Sequence, residues 1–357
     1  MPTESDRPVR PLAARRVYRQ ALTVALALAG AYALALPLPF LAPLFALILT
    51  AKPGPPPGLK GLLGLILVII ITLSAGLLMI PLLLNYPVTA VLIAAVGLFF
   101  SNYLTVNLGK GLVGALLTVG IAMISAAGLV SSVLATTVIQ ALVISIALAM
   151  LCQWLVYPWF PEDQPAAKKA KAKDRGAAAS NWIALRATII VLPAYLLALT
   201  DPTTYMPVIM KSVQLGQQDS VTNARHAGTE LLGSTFLAGC LAALFWLALK
   251  LFPSLWMYFL LMLAFSLYLS AKFYRVLATR LSPSFWQNTA VTLLILLGPA
   301  VEDSANGKDV YKAFAVRMTL FIAVTLYAWL ALHVLERLRG RRQRRRSDSL
   351  TEELPAC

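Results

Sequence analysis

The chain has 357 residues, 59% of them drawn from Ala, Val, Ile, Leu, Met, Phe, Trp, Tyr and Cys, and only 13% charged. A mean hydropathy of +0.77 excludes a soluble enzyme and places the chain in a bilayer. The excess of 30 Lys and Arg over 15 Asp and Glu follows from the basic bias of cytoplasmic loops, so no nucleic-acid partner is called for.

A helix needs about 20 apolar residues to cross a bilayer, fewer where polar ends snorkel. The first half offers runs at 20–36, 40–51, 62–84, 88–100, 111–130 and 133–157. The second offers 183–199, 204–213, 231–252, 255–271, 285–299 and 312–335. This predicts an all-α polytopic membrane protein of about twelve transmembrane helices. The predicted segments are a basic tail (1–19), a first membrane repeat (20–160), a linker (161–181), a second membrane repeat (182–336) and a basic tail (337–357). The N-terminus resembles a signal peptide, but the many later spans make it an uncleaved first helix.

With a cytoplasmic start, the loops alternate in charge. The inner set holds Arg7, Arg10, Arg15, Arg16, Arg19, Lys52, Lys60, Lys110, the lysines of the linker, Lys211, Arg225, Lys272, Arg275, Arg280 and the tail at 337–346. The outer set holds Asp201, Glu302, Asp303 and Asp309, with Lys250, Lys308 and Lys312 as its basic residues. Both termini are therefore expected in the cytoplasm of a bacterial inner-membrane protein. Glu302, Asp303 and Asp309 read as a solvated outer loop. Ile69 reads as lipid-facing, and Cys152 and Cys240 as buried small residues.

The halves echo each other across the linker. Arg19-Gln20-Ala21-Leu22 opens one and Leu185-Arg186-Ala187-Thr188 the other; each then has a short second run with a proline, Pro43 or Pro207. The third runs begin Gly61-Leu62-Leu63-Gly64 and Glu230-Leu231-Leu232-Gly233, and end in Asn85-Tyr86-Pro87 and Leu251-Phe252-Pro253. Six spans per half make this a parallel repeat.

These features resemble the fusaric-acid-resistance-like superfamily, which includes bacterial aromatic acid exporters and, more distantly, plant anion channels. The match is carried by Arg19 and Arg186, the proline-bearing second helices, and Arg225, Gly228-Thr229 and Gly233, similar to an R-x-x-G-T-x-x-x-G stretch. In the first half, Lys60, Gly61 and Gly64 remain of it. The linker is too short for the large cytoplasmic domain of many such exporters, so the chain looks like a compact branch. The resemblance implies a secondary efflux transporter of amphipathic organic anions such as aromatic carboxylates, driven by the proton gradient. An anion channel and a non-transport assembly subunit are the alternatives.

Short interrupted helices in matching places point to a substrate site between repeats, because helix ends inside the membrane present backbone groups to a ligand. Ordinary spans padded by polar flanks are the competing reading. The candidate anion ligands are Arg19, Lys52, Arg186, Lys211 and Arg225, and the candidate proton carriers are Asp219, His226 and Glu230. In a helix His226 and Glu230 share a face, and a carboxylate beside a histidine can load and release a proton. The blander readings are headgroup anchoring for Arg19 and Arg186, and a solvated helix cap for the polar stretch at 211–230. Asp201-Pro202 reads as a helix start.

Gly109-Lys110-Gly111-Leu112-Val113-Gly114 matches a dinucleotide motif only formally, since no βαβ unit surrounds it. Trp154, Tyr157, Trp159 and Trp182 sit at headgroup depth as anchors. The three cysteines and two histidines give no metal or disulfide pattern, so neither enzyme activity nor a cofactor is expected. The expected partners are the organic anion, membrane lipid, and a periplasmic membrane-fusion adaptor; a homo-oligomer stays open.

Overall fold

The computed structural model describes all residues except 1–8, 53, 163–176, 217–223, 306, 308 and 353–357. Side chains are undescribed at a further set that includes 216 and 224–229. The described residues are helical throughout their ordered elements: α1 (Val9–Ala33), α2 (Leu41–Thr50), α3 (Leu59–Asn85), α4 (Pro87–Asn107), α5 (Gly111–Val119), α6 (Ser125–Val130) and α7 (Ser132–Val156) form the first half. The second comprises α8 (Ala177–Thr200), α9 (Pro202–Gly216), α10 (Ala224–Leu251), α11 (Leu255–Phe273), α12 (Pro283–Ala305) and α13 (Val310–Glu352). A π turn, Gly120–Ile124, joins α5 and α6 into one span. Among the described residues, nine helical stretches are long and apolar enough to cross a membrane.

Local chemistry sets the helix starts. Pro87 opens α4 and Pro283 opens α12, where a missing N–H costs nothing. The Ser131 and Ser254 hydroxyls accept backbone N–H groups at the starts of α7 and α11. At the end of α1, Leu36 N donates to Ala31 O and Ala35 N to Tyr32 O, with Ala35 at φ 48°. This is a Schellman closure with alanine where glycine is usual. It turns the chain sharply back into α2.

The pairings among helices recur from one half to the other. α1 lies on α2 as α8 lies on α9, and α2 on α7 as α9 on α13. α3 packs against the α5–α6 span as α10 packs against α12. Across the halves, α1 runs along α11 and α8 along α4, so each repeat lends its first helix to the other's fourth. Two spans form the centre, α5–α6 and α12, the most buried of the set. The short helices α2 and α9 each touch the central span of the opposite repeat.

Close packing at the centre relies on glycine. A side chain on Gly76 would run into the Gly120 carbonyl, and one on Gly120 into the Thr72 carbonyl, so α3 meets the π turn backbone to backbone. The outer faces carry exposed Leu67, Ile71, Leu78, Leu92, Val96, Phe236 and Leu247, a surface suited to acyl chains.

Several expectations change. Ile69 is fully buried, and its neighbours Leu67 and Ile71 take the lipid side. Cys240 is exposed while Cys152 is buried; Cys357 lies outside the described residues. Asp303 is not a solvated loop residue. α12 continues through Pro299 and carries Asp303, 5% exposed, against Arg317 of α13 at 2.5 Å. Nor does Lys211 lie in a loop, because α9 continues past position 213 to Gly216 and keeps it within the bundle.

Candidate functional site

The polar contacts near helix ends join loops assigned to the same side. Tyr274 Oη donates to Thr50 O at 3.0 Å, Trp154 Nε1 to Pro57 O at 2.8 Å, and Asn107 Nδ2 to Asn181 Oδ1 at 3.2 Å. At the other end, Lys250 Nζ donates to Tyr311 Oη at 2.9 Å, and the Tyr32 and Tyr258 hydroxyls are 3.5 Å apart. The basic loops thus share one end of the bundle.

At that end the two repeat-opening arginines are held alike. Arg19, 1% exposed, donates to Glu162 Oε2 at 2.9 Å and to Phe160 O at 3.4 Å, and its guanidinium lies over the Tyr157 ring. Arg16 Nε also donates to Glu162, at 2.9 Å. Arg186 donates to Glu336 at 3.2 Å, and Trp182 Nε1 reaches the same oxygen. In each half the first helix is clasped to a carboxylate near the end of that half's last membrane-crossing stretch. Burial works against the charge on Glu162, but Arg16 and Arg19 outweigh it and hold its carboxyl below the ordinary value.

Glu230 accepts from Ser282 Oγ at 2.8 Å and from Ser284 Oγ, beside the start of α12, where its charge also meets the positive end of the helix. Lys52 is exposed in the turn after α2. Asp219 lies outside the described residues. Arg225 and His226 lie on α10, but their side chains are outside the described set. The polar stretch therefore separates into a capping carboxylate at the membrane edge and a lysine deep in the bundle.

Lys211 is the residue that stands apart. It is 0% exposed, and its ammonium nitrogen donates to Thr292 Oγ1 of α12 at 2.7 Å. The Thr292 hydroxyl in turn donates to Asn288 O at 2.7 Å. At about 1.5 Å per residue, Thr292 lies roughly 13 Å from the start of α12 and roughly 20 Å from its end. That is close to the middle of a bilayer core of about 30 Å. Lys211 thus occupies the short helix of one repeat, at mid-depth, where α9 meets both central spans. Among the described residues no carboxylate is ion-paired with it. The corresponding helix α2, LAPLFALILT, carries no charge, so the first repeat does not have this lysine in its matching helix.

Residues 16–156 match a family described only as a protein of unknown function (DUF2955). The matched stretch is the first repeat, from Arg16 to the end of α7. No curated protein and no solved structure matches the chain. Lys211 and Thr292 lie beyond the matched residues, so the family match bears on the scaffold rather than on the lysine.

A narrow crevice also opens between α1, α2, α11 and α12, lined by Gln20, Ser266, Ser270, Phe273 and Trp286. Gln20 is 2% exposed and its Nε2 donates to Leu47 O at 3.3 Å. Since a carbonyl can only accept, this contact fixes the amide orientation. The crevice uses the face of α12 bearing Trp286, Gln287, Ala290, Leu293 and Leu294. At about 100° per residue, Asn288 and Thr292 lie on the opposite face. α12 therefore stands between the crevice and Lys211.

Sequence comparison found Arg19 and Arg186 as equivalents but missed Glu162 and Glu336. Carrying the repeat to the last run of each half would have found both, since each carboxylate follows the apolar stretch of that run. Nothing in the sequence pairs Lys211 with Thr292, which is 81 residues away.

Proposed function

We propose that the protein is a secondary transporter that moves amphipathic organic anions across the bacterial inner membrane, with both termini cytoplasmic. The observation that carries this reading is the fully buried Lys211, at mid-depth on a short helix between two repeats. An ionisable side chain within the membrane costs several kcal/mol and marks a substrate or ion path by default. Repeat transporters hold substrate near the midplane, at discontinuous or shortened helices. A lone ammonium there favours an anion, and the surrounding apolar helices favour one with a hydrocarbon body. Aromatic carboxylates are the class implied by the resemblance to aromatic acid exporters. Orientation follows from the basic loops sharing one end.

The test is uptake of radiolabelled benzenesulfonate into liposomes containing the purified protein. This anion has the aromatic body and single negative charge of an aromatic carboxylate but no neutral form able to leak through lipid near pH 7. Uptake should exceed that of empty liposomes at least tenfold, and Lys211→Met, which keeps the chain length without the charge, should reduce it to the empty level. Equal uptake by Lys211→Met and the native chain would remove the lysine from the substrate path.

A further inference from the structure

We propose that Lys211 binds a proton and the anion together, so that the protein moves one proton with each anion in the same direction. This rests on the transport reading above and adds the coupling to it.

The elements packed on α9 are α8, α12, α13 and the α5–α6 span. The span Gly111–Val130 has no titratable residue. On α8, Arg186 is paired with Glu336, and the Tyr195 hydroxyl lies 3.3 Å from Ser125 Oγ. On α12, Glu302 and Asp303 lie roughly 15 Å beyond Thr292 at the helical rise, and Asp303 meets Arg317. On α13, the Tyr327 hydroxyl donates to Ile189 O, the His333 ring stacks on Trp329, and Lys312 and Arg337 lie near the ends of the membrane-crossing stretch. On α9 itself, Tyr205 lies near the outer end, next to Asp201, the residue before the helix. Among the described residues, then, the protein supplies no negative charge to Lys211.

The Thr292 hydroxyl hydrogen is committed to Asn288 O, so Thr292 offers Lys211 only a lone pair. One neutral acceptor satisfies one of the three ammonium donors. An isolated charge buried this way is expensive, and two routes remove the cost: the amine gives up its proton, or an anion arrives beside it. The empty site is favoured as the neutral amine and the filled site as the ammonium–anion pair. Loading takes one proton from water on the open side and one anion: R–NH2 + H+ + A− becomes R–NH3+·A−, with no net charge before or after. Reciprocity makes each of the two tighten the other. Both the empty and the loaded carrier are then neutral at this position and cross the bilayer field without electrical work. The matching helix α2 has no charge to supply a second such site, so the expected ratio is one proton per anion. An inward proton gradient would oppose export by this route, which departs from the proton-driven efflux expected from the sequence resemblance.

The experiment uses the full chain in liposomes with a pH-sensitive dye inside and potassium with valinomycin to set the voltage. The probe is benzenesulfonate, whose conjugate acid is too strong to carry the proton itself. Entry down its gradient should acidify the lumen by one proton per anion, and imposed voltages of either sign should change the rate by less than about twofold. Whatever flux Lys211→Arg retains should carry no proton and become voltage-dependent, because guanidinium does not deprotonate in proteins. The native chain's ratio decides the matter even if that variant fails to fold. Voltage-driven entry without acidification, or alkalinisation of the lumen, overturns the coupling and leaves the transport reading intact. No benzenesulfonate flux above empty liposomes overturns both.

Discussion

At the residue scale, the carboxylates facing Arg19 and Arg186 turn two candidate anion ligands into the joints of the basic end. Removing one partner of a buried pair leaves an uncompensated charge, so Glu162→Gln should lower stability by roughly 3 kcal/mol, read as a drop in the thermal midpoint in detergent. The sign of its pH dependence follows from a folded-state carboxyl held below the ordinary 4.5. The contribution is fully present above that value and fades as pH falls below it. Acidification should therefore destabilise the native chain more than Glu162→Gln, and equal acid sensitivity would show that the pair contributes nothing. The arginines were legible because each opens an apolar run. Their partners were not, since a carboxylate after the last run reads locally as loop. Lys211 was legible as a charge but not in its depth, because its cationic character drew it into the loop count and obscured the extra turn of α9.

Helix by helix, each of the twelve apolar runs of the sequence falls on an observed helix, nine stretches among the described residues being long and apolar enough to cross a membrane, and α2 keeps its brevity. Its 10 residues cover roughly 15 Å, half of a bilayer core. α9 is longer than its apolar run because Lys211, Ser212 and Gln214 hide its last turns from a hydropathy reading. The π turn was not legible at all, since a single added residue per turn leaves no compositional trace. Its glycine is the testable part. Gly120→Val would drive a branched side chain into the Thr72 carbonyl, and overpacking of this kind costs about 1–3 kcal/mol. Gly64 on α3 has open space where a side chain would go, so Gly64→Ala should leave the midpoint unchanged or raise it slightly. If the two substitutions shift the unfolding midpoint equally, α3 does not meet the π turn as closely as described.

For the whole molecule, the grouping of basic loops at one end makes topology the most direct test. Reporter fusions after Lys60, within 168–175 and at the C-terminus should give cytoplasmic signals, and fusions near Tyr86 and Asn306 should give external ones. A cytoplasmic signal at Asn306 would break the six-plus-six arrangement. The exchange of first helices also bears on how the chain is made. α1 leaves the ribosome among the first elements, yet the helix it lies along, α11, follows more than two hundred residues later; α4 likewise waits for α8. Gln20 lines the crevice shared with α11 and α12, and Asn102 Nδ2 donates to Thr188 of α8, so the surroundings of both are completed by the second half. The first half alone is therefore an incomplete unit, whose first and fourth helices are packed only once the second half is in place.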